Sequence, residues 1–309
     1  MAFADSSSTR LAYIPEATFG TTPTSPVFQI LRYTGEQLRY QKNSIISDEI
    51  REDRNIADLI QVGRMVNGTF DFELSYGTFD DLLEGVFFND WAADVLINSN
   101  VKKGFTFEKK FEQGATDSYL RYRGCVIGGM SLDLSSQKIA TGQFSIMGLG
   151  GSVTAAILSG ATYTAANTNP VMNTSSHFAS LSISGVSPAP RIKGLTIQIE
   201  NNLREQAEVG NIDLAGIAAG RFNVSGTMDA YFESIALYEA ILDHDTISLE
   251  FTVGVDTGEK YTFELPSIKI KSGDPFAPGN DTDVMIPIEF QAIYDAGETT
   301  SIKVTRAVA

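Results

Sequence analysis

The chain has 309 residues, 43 % of them hydrophobic and 10 % aromatic, which is enough apolar material to build ordinary cores and excludes wholesale disorder. Its 38 acidic against 23 basic residues give a net charge of −15, carried by both halves, with 14 basic and 19 acidic groups in residues 1–150 and 9 and 19 in 151–309. No basic stripe is present to neutralise a phosphate backbone, so DNA or RNA binding is disfavoured, whereas an acidic surface would let DNA pass without adhering.

Taken in chain order, the N-terminus MAFADSSSTR has no apolar signal core, and no run of 18 apolar residues follows. The expectation is a protein made in the cytoplasm that neither spans nor crosses a membrane. A candidate strand at Leu38–Lys42 precedes a long polar segment, Asn43–Arg64. Then comes Val66–Tyr76, which alternates Val66, Gly68, Phe70, Phe72, Leu74 and Tyr76 with Asn67, Thr69, Asp71, Glu73 and Ser75. The helical spacing of Leu82, Leu83 and Val86 predicts a short amphipathic helix. Three strands are expected after it, at Gly104–Phe111, Tyr119–Leu134 and Ile139–Met147. The stretch from Gly148 to Phe178 is rich in Gly, Ser, Thr, Ala and Asn and reads as a linker with one short helix at Val153–Leu158.

The same order then recurs. A strand at Gly194–Glu200 precedes a second polar segment, Asn201–Arg221, and a second alternating strand in which Phe222, Val224, Gly226, Met228, Ala230 and Phe232 face one way and Asn223, Ser225, Thr227, Asp229 and Glu233 the other. Ile235, Leu237 and Ile241 predict a helix, and strands follow at Ile247–Val255, Lys260–Lys271 and Asp283–Tyr294. A shared skeleton runs through both: Asn55-Ile56-Ala57-Asp58-Leu59, Gly63-Arg64 and Val66-Asn67-Gly68-Thr69-Phe70-Asp71 in one, Asn211-Ile212-Asp213-Leu214, Gly220-Arg221 and Val224-Ser225-Gly226-Thr227-Met228-Asp229 in the other. A motif recurring in register with the same succession of elements predicts an internal duplication, with a first copy at 1–150, a linker at 151–176 and a second copy at 177–309. Period-two alternation belongs to antiparallel sheets with one wet face. The expected fold is therefore mainly β: two tandem antiparallel β-sandwich or barrel domains, each with one short packed helix.

Residues that could carry chemistry are few. The one cysteine, Cys125, lies in an apolar-rich strand and reads as a small core residue. His177 and His244 have no partners that would make a triad or a metal site. Gly148-Leu149-Gly150-Gly151 lacks the Lys-Ser/Thr of a phosphate-binding loop and reads as a strand end. No enzyme activity, cofactor or metal is expected.

The order and spacing of several N-terminal motifs carry a resemblance. They are Glu16-Ala17-Thr18-Phe19-Gly20-Thr21-Thr22-Pro23, Leu31-Arg32-Tyr33-Thr34-Gly35-Glu36, Ser47-Asp48-Glu49-Ile50-Arg51-Glu52-Asp53-Arg54, and the block from Gly68 to Glu84. Over residues 1–90 the chain resembles the major tail tube proteins of long-tailed phages and prophages; the remainder follows through the repeat. The resemblance implies a structural virion protein that self-assembles into stacked rings, a conduit for DNA ejection, located in the virion tail and assembled in the host bacterial cytoplasm. Its implied partners are other copies of itself and the tape-measure, terminator and distal tail proteins, with DNA passing non-specifically. The family's inter-ring loop carries over onto Asn43–Arg64, with Asp48, Glu49, Arg51, Glu52, Asp53 and Arg54 as candidate contacts, and onto Asn201–Arg221 as its second copy. The candidate lumen-facing residues are Asn67, Thr69, Asp71, Glu73, Ser225, Thr227 and Asp229. Since single-domain relatives form six-fold rings, a chain with two copies predicts a homotrimeric ring with pseudo-six-fold symmetry. A tube from a contractile secretion machine is a close variant of this reading. The alternative is a cytoplasmic β-sandwich binding module or a carbohydrate-active enzyme, for which no aromatic platform or convergent polar cluster is visible.

Overall fold

The computed structural model describes residues 3–307 except 115, 185, 187, 188 and 278. After a 3-10 turn (Ser6–Ser8) come β1 (Thr9–Pro15), β2 (Val27–Ile30), β3 (Gly35–Glu36), β4 (Arg39–Ile46), β5 (Leu59–Glu73), α1 (Asp80–Phe87), β6 (Val95–Ile97), β7 (Phe105–Gln113), β8 (Thr116–Ser135) and β9 (Thr141–Gly148). Then follow β10 (Gly150–Thr154), β11 (Thr162–Thr164), β12 (Phe178–Ile183), β13 (Ile192–Glu200), β14 (Arg204–Gln206), β15 (Gly216–Ala218), β16 (Asn223–Tyr231), α2 (Ala236–Leu242), β17 (Thr246–Gly254), β18 (Lys260–Ser272), β19 (Met285–Ala292) and β20 (Lys303–Arg306). The chain is mainly β with two short helices, as the alternation predicts.

The hydrogen-bonded order in the first half is β1–β7–β8–β9–β5–β4, and in the second it is β12–β17–β18–β19–β16–β13, with every pairing antiparallel. β10 lies on β8 as β20 lies on β18. The register also shifts at matching places, between Ile127 and Gly129 on β8 and between Ile270 and Ser272 on β18. The halves are then sewn together: β8 from Gly129 to Ser135 pairs with β13 from Glu200 to Gly194, and β20 pairs with β6.

Each half is a two-layer sandwich because one long strand serves both layers. Residues 116–125 of β8 pair with β7 in the outer layer, and residues 126–133 pair with β9 in the inner one. The bend falls at Gly124, which has φ +61; a Cβ there would come within 2.6 Å of Leu149, so the position needs glycine on both counts. Between the layers Phe72 stacks on Phe144 at 4.8 Å and meets Phe79 at 4.5 Å, while in the second half Phe251 stacks on Phe263 at 5.0 Å. α1 buries Leu82, Leu83 and Val86, as its spacing predicts.

Four expectations change. The 153–158 segment forms no helix: its first part is β10, whose Gly150–Thr154 backbone pairs with an otherwise open stretch of β8 from Arg123 to Tyr119. The polar segment 43–64 is largely a hairpin, since β4 runs to Ile46 and β5 starts at Leu59, leaving only 47–58 as an open tip. The second segment contains the small β14–β15 ladder. In α2, Leu237 is buried and Ile241 packs on the core, but Ile235 precedes the helix and is exposed, as is Phe232, which lies just past the end of β16.

Candidate functional site

The inner layer is one continuous sheet, β4–β5–β9–β8–β13–β16–β19–β18, that crosses both halves. Directly paired residues share a face. One row of partners reads Asp71, Gln143, Ser131, Gln198, Ser225 and Gln291; the next reads Glu73, Thr141, Asp133, Thr196, Thr227 and Glu289. Every side chain in both rows is polar. The opposite face carries Phe70, Phe72, Phe144, Leu132, Ile197, Met228 and Ile288, all buried. The sequence therefore folds this sheet with one wet side because each strand alternates in phase with its neighbours.

The seven residues singled out from sequence come together on that wet face. Asn67, Thr69, Asp71 and Glu73 lie on β5; Ser225, Thr227 and Asp229 lie on β16, with β9, β8 and β13 between them. Lateral hydrogen bonds tie the face together: the Gln143 amide donates to Asp71 at 2.6 Å, the Asn67 amide to Gln41 at 3.0 Å, and the Thr196 hydroxyl to Asp133 at 3.2 Å. The neighbours Ser131, Asp133, Gln143, Thr196, Gln198 and Glu289 complete it. Their signal was the same alternation, but only strand pairing places them beside the first seven. Six carboxylates sit on the face, those of Asp71, Glu73, Asp133, Glu200, Asp229 and Glu289, against Arg39, Lys269 and Lys271.

Two arms leave this sheet, one at its β4 edge and one between the central strands β13 and β16. The first is the β4–β5 hairpin. Asp48, Glu49, Arg51, Glu52, Asp53 and Arg54 form its tip, all exposed. Arg51 pairs with Asp53 at 2.7 Å, and this guanidinium, with the Asn55 amide, holds the Asp53 carboxyl below the usual carboxylate range. Ser47 N donates to the Asp58 carbonyl and closes the tip at its base. The second arm, residues 201–221, folds back onto the first half. Its Asp213 accepts from the Tyr40 hydroxyl at 2.5 Å and pairs with Arg64 at 3.1 Å and Arg123 at 3.4 Å. Leu214 and Ile217 are buried in a small apolar cluster with Phe88, Val126 and Leu149.

The groups considered for chemistry fall elsewhere. Cys125 is wholly buried in the first-half core, and that burial pushes its thiol well above its ordinary range. His177 accepts through Nδ1 from the Asn173 amide at 3.0 Å, and His244 terminates α2 in the left-handed region at φ +54. Among the described residues no cluster of His, Cys, Asp and Glu is arranged to hold a metal ion, and no helix is long and apolar enough to cross a membrane.

No curated protein matches the chain. A family model described as "Phage tail tube protein" matches residues 6–292. The chain thus belongs to the phage tail tube protein family, a structural component of the virion tail.

Proposed function

We propose that copies of this chain close into trimeric rings that stack into the tail tube, with the polar sheet face lining the lumen through which DNA leaves the capsid. The observation that carries this reading is the β8–β13 junction. It joins the two halves edge to edge, and the halves share one order of pairings, which also supports reading them as duplicated domains. Repeating the junction between chains needs two complementary free edges. Among the described residues β4 pairs with β5 alone, and β18 has no neighbour beyond Lys269 on the side facing away from β19. Unpaired edges are sites of self-association, and a closed ring removes them.

Each chain supplies eight inner strands, so three chains give twenty-four. At a spacing of about 4.8 Å the closed wall would measure about 37 Å across for untilted strands and about 48 Å at a tilt of about 40°. Two chains would give only about 24–32 Å by the same arithmetic. The acidic wall repels a phosphate backbone and so favours sliding over adhesion. The charged first-arm tip, Asp48 to Arg54, projects beyond the sheet, which suits contact with the next ring, where mixed charge fixes orientation. Assembly in the host cytoplasm and capping by the tape-measure, terminator and distal tail proteins complete the reading.

Electron microscopy of the purified chain at rising concentration, with tube fragments as seeds, tests it. Hollow tubes with three chains per cross-section are expected. Six chains per cross-section, or a monomer that does not extend seeds, would refute the proposal.

A further inference from the structure

The repeated Asn-Ile…Asp-Leu motif meets two different fates. In the second arm it is fully used. The Ile212 carbonyl accepts the Arg64 amide at 2.7 Å, Asp213 engages Tyr40, Arg64 and Arg123, and Leu214 is buried. This arm belongs to the second half, yet it docks across the β8–β13 junction onto the first. In the first arm the corresponding Ile, Asp and Leu side chains are left in solvent. Ile56 is 67 % exposed and Leu59 62 %, and among the described residues the Asp58 carboxylate meets only the amide of Leu59, its own neighbour, at 2.7 Å. Ile45, Ile46 and Ile60, each at least half exposed, extend this apolar surface along the hairpin, and such a patch marks an interaction site.

The second half holds the matching receptor. The shared Gly-Arg motif places Arg221 at the foot of the second arm, three residues before Val224, as Arg64 stands at the foot of the first, two residues before Val66. Arg64 is paired to Asp213; Arg221 is exposed and makes no ion pair among the described residues. Likewise Gly148, opposite Val66, corresponds to Ala292, so Ile293 follows β19 as Leu149 follows β9. Leu149 is 7 % exposed beneath the second arm, whereas Ile293 is 39 % exposed. The first arm cannot reach its own chain's Arg221, because β4 and β16 lie five strand spacings apart, about 24 Å.

We propose that the first arm docks on the second half of another copy of this chain, with Asp58 pairing to that copy's Arg221 and Leu59 covering its Ile293. The docking rests on the ring reading and names its contact. It also answers a weakness in the edge junction. Where β8 continues to Ser135 along β13, β18 stops at Ser272 and the chain carries Pro275, which has no N–H to donate. A between-chain seam that is short of ladder hydrogen bonds needs the arm to hold it.

A charge swap tests the pair. Asp58→Arg and Arg221→Asp, each in the full chain, should raise the concentration needed for assembly at least about tenfold, and the double variant should return it to within about threefold of the unaltered chain. Asp58→Asn should give a smaller rise. Circular dichroism and melting report that each variant monomer folds; both positions are exposed, so folding is expected to be unchanged. Either single reversal assembling normally, or a swap as defective as the singles, overturns the contact. Failure of the unaltered chain to extend seeds is a different result, and it would overturn the ring reading instead.

Discussion

Removing the Asp213 carboxylate with Asp213→Ala asks whether charge holds an arm in place. Three groups lose their partner: the Tyr40 hydroxyl at 2.5 Å, Arg64 at 3.1 Å and Arg123 at 3.4 Å. Arg123 is 45 % exposed, so its longer contact contributes little, about 0.5 kcal/mol or less. Arg64 is 34 % exposed and Asp213 17 %, which places that pair between the surface and buried cases, at about 1 kcal/mol. A hydrogen bond to a charged acceptor from Tyr40 adds about 1 kcal/mol after its exchange with water. The sum, about 2–2.5 kcal/mol, is a sizeable share of a typical domain stability of 5–15 kcal/mol. The apolar contacts of Leu214 and Ile217 remain, so the loss should appear chiefly as local opening of the arm. Hydrogen exchange should lose protection of about thirty- to seventyfold across 204–218, with a smaller shift in the urea midpoint. A change under threefold would mean that apolar burial alone seats the arm, and the charge logic carried to Asp58 and Arg221 would fall with it.

Other outcomes follow from the same geometry. Phe144→Ala, which empties a fully buried site beside Phe70 and Phe72, should cost about 3–5 kcal/mol in urea unfolding. Deleting 48–54 should leave rings that form but do not stack, and normal tubes from that deletion would remove the inter-ring role of the tip. Replacing Asp71, Asp229 and Glu289 together by lysine should leave assembly intact while making DNA passage slow and salt-dependent, since the wall would then attract phosphate. Burial and the nearby Asp81 raise the Tyr13 hydroxyl above its ordinary value of 10, and burial and Asp80 raise Tyr261. A raised folded-state value leaves stability untouched below pH 10 and removes it as pH climbs above 10, by up to about 1.4 kcal/mol per pH unit for each tyrosine. Equal stability at pH 9 and pH 11 would contradict that burial.

Strand identity was legible in the sequence because a side chain's face is fixed by the parity of its position. Val66 to Leu74 and Val224 to Ala230 divide into wet and dry sides by counting alone, and Gly-Thr-x-Asp recurs at the same place in both strands. The glycine of that motif has a local reason in each half: a Cβ at Gly68 would stand 2.3 Å from the Gln37 carbonyl oxygen, and one at Gly226 would stand 2.4 Å from the Phe290 ring. What parity cannot fix is which strands become neighbours. Whether Ser131 lies beside Gln198, and so whether two wet faces fuse into one, depends on hydrogen bonds between residues far apart in the chain. The same limit hid β10, because a Gly- and Thr-rich stretch becomes a strand only when another strand, here β8, offers an open edge. It also hid the difference between the two arms. Their sequences are close in kind, but Asp213 finds Tyr40 and Arg64 within reach while Asp58 does not, since only the second arm has a half-sheet folded beneath it in its own chain. Composition and periodicity set the elements; long-range pairing decided which surfaces they leave open.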